Sequence, residues 1–558
     1  MPQSIVPADA SGEVVCTTEG LSFWGGVDPA TGVVIDAHHP LKGRSLTGKI
    51  VMMPTSRGSC SGSGVLLELA LNGKAPAALV FSQPEEILTL GAIIAARVFD
   101  RHIAVLRLGP DAFATLARAQ TAKFTGEYIC ADGVRLSMSA AAPAGLELSQ
   151  YDQECLSGGT EDPLALALEV IRAMAVATGA SRLTDVSRGH IDGCILAHNA
   201  NLVFAERMAE MGARVRIPTT INAISVDREN WAAQGTPPDF GRAASRLADA
   251  YVKMGAQPTF TCAPYLLDDP PNCGDVIGWS ESNAVIFANS VLGARTAKLP
   301  DYLDLFVAMT GRAPETGVYL SENRQPRLAI ACEVPYGHDD SLWPLVGWLA
   351  GRLAPNRIPV LTGLEDLRPT QDDLRALCAA FGTTSAAPML HVAGITPETG
   401  PGPFPGAETA RISRNHLADA WRSLNGGPCE VDVVAIGSPH ASLREIETFC
   451  HLVNGRQRHP ATEVILTVGR GVLANAQAAG WVSRLEQSGI RILPDLCWCS
   501  ITEPLFPPDA RSLMTNSGKF AHYAPGLNQR AVRFGSLADC AEAAVSGRVP
   551  DMPAWLGG

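Results

Sequence analysis

Four kinds of side chain in this 558-residue sequence stand where they could do chemistry. The segment "PTSRGSCSGSGVLLELALNG" (54–73) places Ser56, Arg57, Ser59 and Cys60 in a Gly/Ser loop between an apolar strand and an apolar helix. Such a loop offers free backbone N–H groups and the positive end of a helix dipole, which suits an anion. Arg57 can add a bidentate carboxylate contact. No GK[ST] closes the loop and no G-x-S-x-G elbow lies in it, so it is neither a phosphate P-loop nor a hydrolase elbow. A flexible connector remains the competing reading.

Thiols form the second kind. Cys262 ends a short β-like run in "TFTCAPY", a turn position suited to an iron or iron–sulfur ligand. Cys497 and Cys499 follow the strand-like "IRILPDLCWCS". The third kind is the pair His190 and Asp192 in "LTDVSRGHIDG", an acid–base pair, a ligand pair, or a pair that orders its loop. The fourth is a set of polar clusters. "SESNAVIFANSVLGAR" carries Ser280, Glu281, Ser282, Asn283, Asn289 and Arg295 around an apolar helix, either as ligand contacts or as caps and helix surface. "LMTNSGKFAHYAPG" crowds Thr515, Asn516, Ser517, Lys519 and His522 beside Gly and Pro, as expected of a small polar ligand's site or of a hydrogen-bonded loop.

Elements must position these groups. In the first part, "GKIVMMP" (48–54), "AALVF" (77–81) and "IAVLRL" (103–108) read as strands separated by helices over "VLLELALNG" and "EEILTLGAIIAARVF" (85–99), a βαβαβ pattern with a mainly parallel sheet. Residues 136–150 lose periodicity and gain small residues and Pro, so they read as a linker. The helix "LALALEVIRAMAVATGA" opens with Thr160 as N-cap and Pro163 in its first turn and stops at Gly179. From about 355 onward, strand, loop and helix alternate as in a doubly wound α/β unit, whose ligands sit beyond the C-terminal strand ends. Ser438 and His440, Thr467 and Arg470, and Cys497 and Cys499 occupy three such ends.

The bulk properties exclude several classes. A net charge of −12 opposes a nucleic-acid footprint. The window 164–180 contains Glu169 and Arg172 and is short for a bilayer, and no signal-peptide layout is visible, so a cytoplasmic protein is expected. Fourteen cysteines without framework spacing or a CxxC pair read as reduced thiols rather than disulfides or a zinc ribbon.

Taken together, "GGVDPATGVVIDAHHPLKGRSLTGKIVMMPTSRGSCSGSGVLLELALNGKAPAALVF", "HIDGC", "TCAPY", "WSESNAVIFANSVLGARTAK", "GSPHASL" and "MTNSGKFAHYAPG" resemble the aconitase X family in its fused form. The resemblance implies an α/β fold of the aconitase-superfamily kind. A small swivelling domain (1–135) and a linker (136–150) precede a large multi-module catalytic domain (151–558). It implies a hydro-lyase that dehydrates cis-3-hydroxy-L-proline to Δ1-pyrroline-2-carboxylate, with mevalonate 5-phosphate dehydration as the alternative. An iron- or redox-sensing RNA-binding protein is the reading from another class, opposed by the acidic balance.

It further implies Ser59 as the base, Ser56 as second choice, Arg57 as carboxylate clamp, and His190 and Lys519 in catalysis. Ser282, Asn283, Arg295, Thr515, Asn516, Ser517 and His522 would bind substrate. The implied cofactor is an iron–sulfur cluster on Cys262 and Cys497. The family's usual "GCPH" cysteine is here Ser438, so Cys60 or Cys499 is expected as third thiolate. A [2Fe–2S] cluster is favoured over [4Fe–4S], with a single iron as a further alternative. The implied partner is a small hydroxy or imino acid, with no nucleic acid and no membrane, and the protein is expected as a monomer or small homo-oligomer.

Overall fold

The computed structural model describes all residues except 1, 37–38, 58, 141–144, 160, 401, 403, 502 and 558. The strands Ile50–Met53, Ala78–Phe81 and Ala104–Arg107 run parallel, beside Ala10–Cys16. The first two are buried at every position, as parallel strands covered by helices on both faces must be. The crossovers are the helices Gly62–Leu71 and Ile87–Phe99.

The full sheet has nine strands, because Thr121–Thr125, Tyr128–Ala131 and Val134–Ser137 add an antiparallel meander to one edge. The βαβαβ reading did not include this meander. Its second turn is Asp132-Gly133, both at positive φ, the hairpin geometry that Asp-Gly favours. At the other edge Ser139–Ala140 pairs with Gln3–Val6, so sheet structure continues into the stretch read as a linker; residues 141–144 of that stretch lie outside those described.

The helix Pro163–Thr178 is capped by the Asp162 carboxylate, which accepts the Leu164 N–H, and ends at Gly179 in the left-handed conformation. The Thr160 cap falls outside the described residues. Beyond it, Gly189–Ile191 is flanked in parallel by Thr219–Ile221 and Gly278–Trp279. A four-stranded parallel sheet follows, ordered His391–Val392, Pro359–Thr362, Leu328–Cys332, Glu408–Ile412.

The last sheet is parallel and five-stranded. Its order is Arg491–Pro494, Glu463–Val468, Val433–Ile436, Ser512–Thr515, Ala531–Phe534. The strands preceding Ser438, Arg470 and Cys497 are neighbours, an adjacency that the sequence reading left open. The order reverses between Val433–Ile436 and Ser512–Thr515, the topological switch point at which such sheets hold ligands. One apolar core runs from the nine-stranded sheet into the next part of the chain, joining Val65, Leu66 and Leu69 with Leu202, Phe204 and Ala205. No helix among the described residues is long and apolar enough to cross a membrane.

Candidate active site

The loop after Ile50–Met53 is pressed onto the rest of the chain by the helix it opens. A Cβ on Gly64 would lie 2.8 Å from the His198 ring and 2.9 Å from the Tyr302 hydroxyl, so only glycine allows this approach. The Ser63 hydroxyl lies 3.2 Å from the Asp301 carbonyl, and Glu68 accepts the Ala200 N–H at 2.6 Å at the start of the helix Asn199–Glu210. These contacts carry Ser59 and Cys60 to the rim of a cavity of about 540 Å³ between the first sheet's loop and the remaining chain.

Three sulfurs cluster beside this cavity. Cys262 and Cys497 are buried together, and Cys499 packs against them and lines the cavity. The Cys262 and Cys499 thiols both donate to Cys497, which holds its thiol well below the ordinary value; Lys519 and His440 help. Burial and hydrogen bonding to Cys497 push Cys262 up. The arrangement therefore favours one thiolate with two thiol donors. The His440 backbone N–H also donates to Cys262 Sγ at 3.3 Å, from the turn that begins at Ser438. The His440 ring is occupied, Nδ1 with Thr261 Oγ1 at 3.1 Å and Nε2 with the Leu496 carbonyl at 2.6 Å. Three neighbouring sulfurs, the buried Lys519 ammonium and a backbone donor suit a thiophilic iron or iron–sulfur group.

Lys519 stands between this set and Glu281, with Nζ 2.8 Å from Oε1. Burial works against its charge, but Glu281 and the cysteines outweigh burial and raise its pKa. Asn283 steadies Glu281 through Nδ2 at 2.6 Å, while its Oδ1 accepts the Tyr265 hydroxyl at 2.8 Å.

Cys60 is in a different place from the other three. Its thiol donates to Asp192 Oδ2 at 3.4 Å, and a ligand atom from each of Cys60, Asp192 and Asp301 falls within 4.8 Å of the others. Burial, then Asp301 and Asp192, push the thiol well up, against the opposing pull of Lys298. Burial also raises the Asp301 carboxyl to about 6 and, with Asp301 beside it, Asp304 to about 7.

Of the residues nominated from sequence, the structure gathers Ser59, Cys60, Arg57, Ser282, Asn283, Cys499, Lys519 and His522 at the cavity. Ser59 is half-buried, its hydroxyl 3.4 Å from that of Ser61. Arg57 is 47% exposed and ion-paired with Asp36 at 3.1 Å. His522 accepts from Trp348 Nε1 at 3.2 Å.

The others lie off the cavity lining. Ser56 donates to Glu85 Oε1 at 2.5 Å. His190 is fully buried in its strand, with Nδ1 2.8 Å from Thr220 Oγ1, and burial lowers it to about 3, so it stays neutral. Arg295 donates to the Tyr319 carbonyl at 2.9 Å. Thr515 accepts the Ser517 N–H at 3.1 Å, Asn516 donates to Glu445 at 2.8 Å, and Ser517 caps the helix Gly518–Leu527 through the Phe520 N–H at 3.0 Å.

Asp301 and Lys298, both at the cavity, escaped nomination. They sit in "TAKLPDYLD", where nothing but a lone Lys and two Asp three residues apart could have marked them.

A small α/β body whose loop closes a cysteine-bearing cavity on a larger body of parallel sheets is the architecture of the aconitase-type hydro-lyases. The chain belongs to the aconitase X family: the model of its swivel domain matches residues 2–130, and those of its first, second and third domains match 145–322, 326–422 and 431–546. It is 48% identical over its whole length to the cis-3-hydroxy-L-proline dehydratase of Pseudomonas aeruginosa, 98% of which is covered. Over 97% of its length it is 44% identical to the enzyme of that name from Hypocrea jecorina, 94% of which is covered. The crystal structure of Thermococcus kodakaraensis aconitase X in its holo-form superposes with a TM-score of 0.65 at 28% identity, over 71% of this chain and all of that one. The protein is a dehydratase.

Proposed function

We propose that the protein dehydrates cis-3-hydroxy-L-proline to Δ1-pyrroline-2-carboxylate. The single observation that carries this reading is the cavity that brings Cys499, backed by Cys262 and Cys497, together with the Ser59 loop of the swivel part. Support comes from the names of the two relatives that span nearly the whole chain.

Two difficulties define the chemistry. The Cα proton beside a carboxylate is weakly acidic, and hydroxide is a poor leaving group. Cys262, Cys497 and Cys499 would hold the iron–sulfur group, which when bound supplies a Lewis acid for the leaving hydroxyl. Lys519, kept protonated by Glu281 and the sulfurs, places an ammonium at the same end of the cavity and favours the departing oxygen. Ser59 on the swivel loop would take the Cα proton as its alkoxide and become the neutral alcohol, at a rim between the swivel loop and the remaining chain. The Glu281–Asn283–Tyr265 chain holds Lys519 in place.

Anaerobically purified protein given cis-3-hydroxy-L-proline should form the cyclic imine. The Ser59→Ala variant should keep its iron while turnover falls by about 10²–10⁴. Full activity in that variant would remove Ser59 from the reaction, and no product from the iron-loaded wild type would overturn the substrate.

A further inference from the structure

The cavity contains charges that the dehydration chemistry does not use. Glu281 is already neutralised by Lys519, and this leaves Asp192, Asp301 and Lys298. Asp301 is 3% exposed; its carboxyl accepts from the Ser61 and Cys60 side chains, while Oδ1 has no hydrogen-bond partner among the described residues. Asp192 is 8% exposed; Oδ1 accepts from Asn222 Nδ2 and Oδ2 from the Cys60 thiol. Lys298 acts on the same thiol and makes no ion pair among the described residues. Burial, Glu281 and Asp301 push the Asp192 carboxyl well up, so this corner, with two buried carboxyls and one lysine, would be stabilised in its ionised form by an added cation.

We propose that this corner is the recognition site for a zwitterionic α-imino acid, with Asp301 and Asp192 taking the ring ammonium and Lys298 the carboxylate. An α-imino acid carries its nitrogen and carboxylate on the same carbon, so their anchors must share one corner. Both carboxyls lie within 4.8 Å of Cys60, and Lys298 lines the same cavity. The arriving ammonium supplies such a cation and satisfies the unpartnered Oδ1 by a charge-assisted hydrogen bond. The same three ligand atoms could instead surround a metal ion, an occupant that metal content distinguishes. An imino-acid site selects for a secondary ammonium, a group that a phosphorylated hydroxy acid does not have. This inference rests on the imino-acid reading of the substrate and extends it to the residues that set specificity.

The test uses two unreactive ring acids that differ in one atom, L-proline and (S)-tetrahydrofuran-2-carboxylate, titrated against the anaerobic holoenzyme by calorimetry. The wild type should prefer proline by about ten- to a hundredfold. Asp301→Asn should bring that ratio to within about threefold by weakening proline, since a carboxamide no longer pairs with the ammonium. Lys298→Met should weaken both ligands alike. Equal binding by the wild type, or an unchanged ratio in Asp301→Asn, would overturn the proposal. Stoichiometric metal beyond the cluster iron that disappears in Asp301→Asn would also overturn it. If Asp301→Asn does not fold, Asp192→Asn carries the same expectation, and the wild-type ratio decides by itself. Turnover of cis-3-hydroxy-L-proline in the same sample separates the two readings: turnover without the ratio sinks the site, and the ratio without turnover sinks the reaction.

Discussion

Four cysteines in or behind one cavity wall divide into a set of three and an outlier. Cys262, Cys497 and Cys499 share a buried hydrogen-bonded cluster, whereas Cys60 is bound to Asp192. Serine at 262, 497 or 499 should therefore abolish stoichiometric iron and acid-labile sulfide, while Cys60→Ser should retain both, as read by colorimetric assay and visible absorption. Iron lost from Cys60→Ser would move the third ligand to the swivel loop. Asp304 gives a second prediction. It is fully buried, and its carboxyl is raised to about 7 by burial and by Asp301. The unfolded chain releases that proton near 4, so this residue's contribution to stability is complete below that and is lost as the pH climbs through about 7. Asp304→Asn does not ionise; it keeps an acceptor for only one of the Asp192 and Leu305 N–H groups, which go to separate oxygens, a loss that is the same at every pH. It should gain on the wild type between pH 4 and 8 in thermal unfolding; a constant difference would contradict the burial argument. The thiols were legible in sequence as ligand types near turns. Asp301 was not, because its role comes from Cys60 and Asp192, over a hundred positions away in the chain.

At the scale of elements, the helix Gly62–Leu71 positions the swivel loop through one close contact. Gly64→Ala would place a methyl 2.8 Å from His198 and 3.0 Å from Asn201 Oδ1. The strain should cost about 1–3 kcal/mol or lift the helix off its seat. Either way kcat/KM should fall while the iron content stays full. Unchanged kinetics would mean that the loop is held elsewhere. The helix Gln150–Leu156 is fastened by a buried pair, Asp152 to Arg312 at 2.8 Å, with Asp152 fully enclosed. Asp152→Ala leaves the guanidinium only the exposed Asp185 carboxylate and the Leu183 carbonyl and should cost about 1–3 kcal/mol in denaturant unfolding. Apolar runs such as "IVMM" and "ALVF" betrayed the parallel strands, since burial on both faces leaves no alternation to misread. The meander over 121–137 was harder: half its residues face solvent, so its apolar signal is weak and only the Asp-Gly turn marks it.

Across the whole molecule, the site exists because distant pieces of chain converge. Ser59 and Cys60 come from the first sheet, Asp192 and Cys262 from the next part, and Cys499 and Lys519 from the last sheet. The strand, loop and helix rhythm of that sheet implied a doubly wound unit, and the structure makes the three strands neighbours with their ends on one edge. Which of their residues face the cavity was not readable: Arg470 turns to Asp495, Asp227 and Glu229, and Thr467 to the Gly437 carbonyl. The central claim is that this cavity joins iron-assisted loss of hydroxide to an imino-acid substrate. It is tested most directly by giving the anaerobic, iron-loaded protein cis-3-hydroxy-L-proline and mevalonate 5-phosphate in separate reactions and following dehydration. The account predicts Δ1-pyrroline-2-carboxylate from the first and no product from the second, with activity lost in Cys499→Ser. Dehydration of the phosphorylated acid, or full turnover in Cys499→Ser, would contradict it.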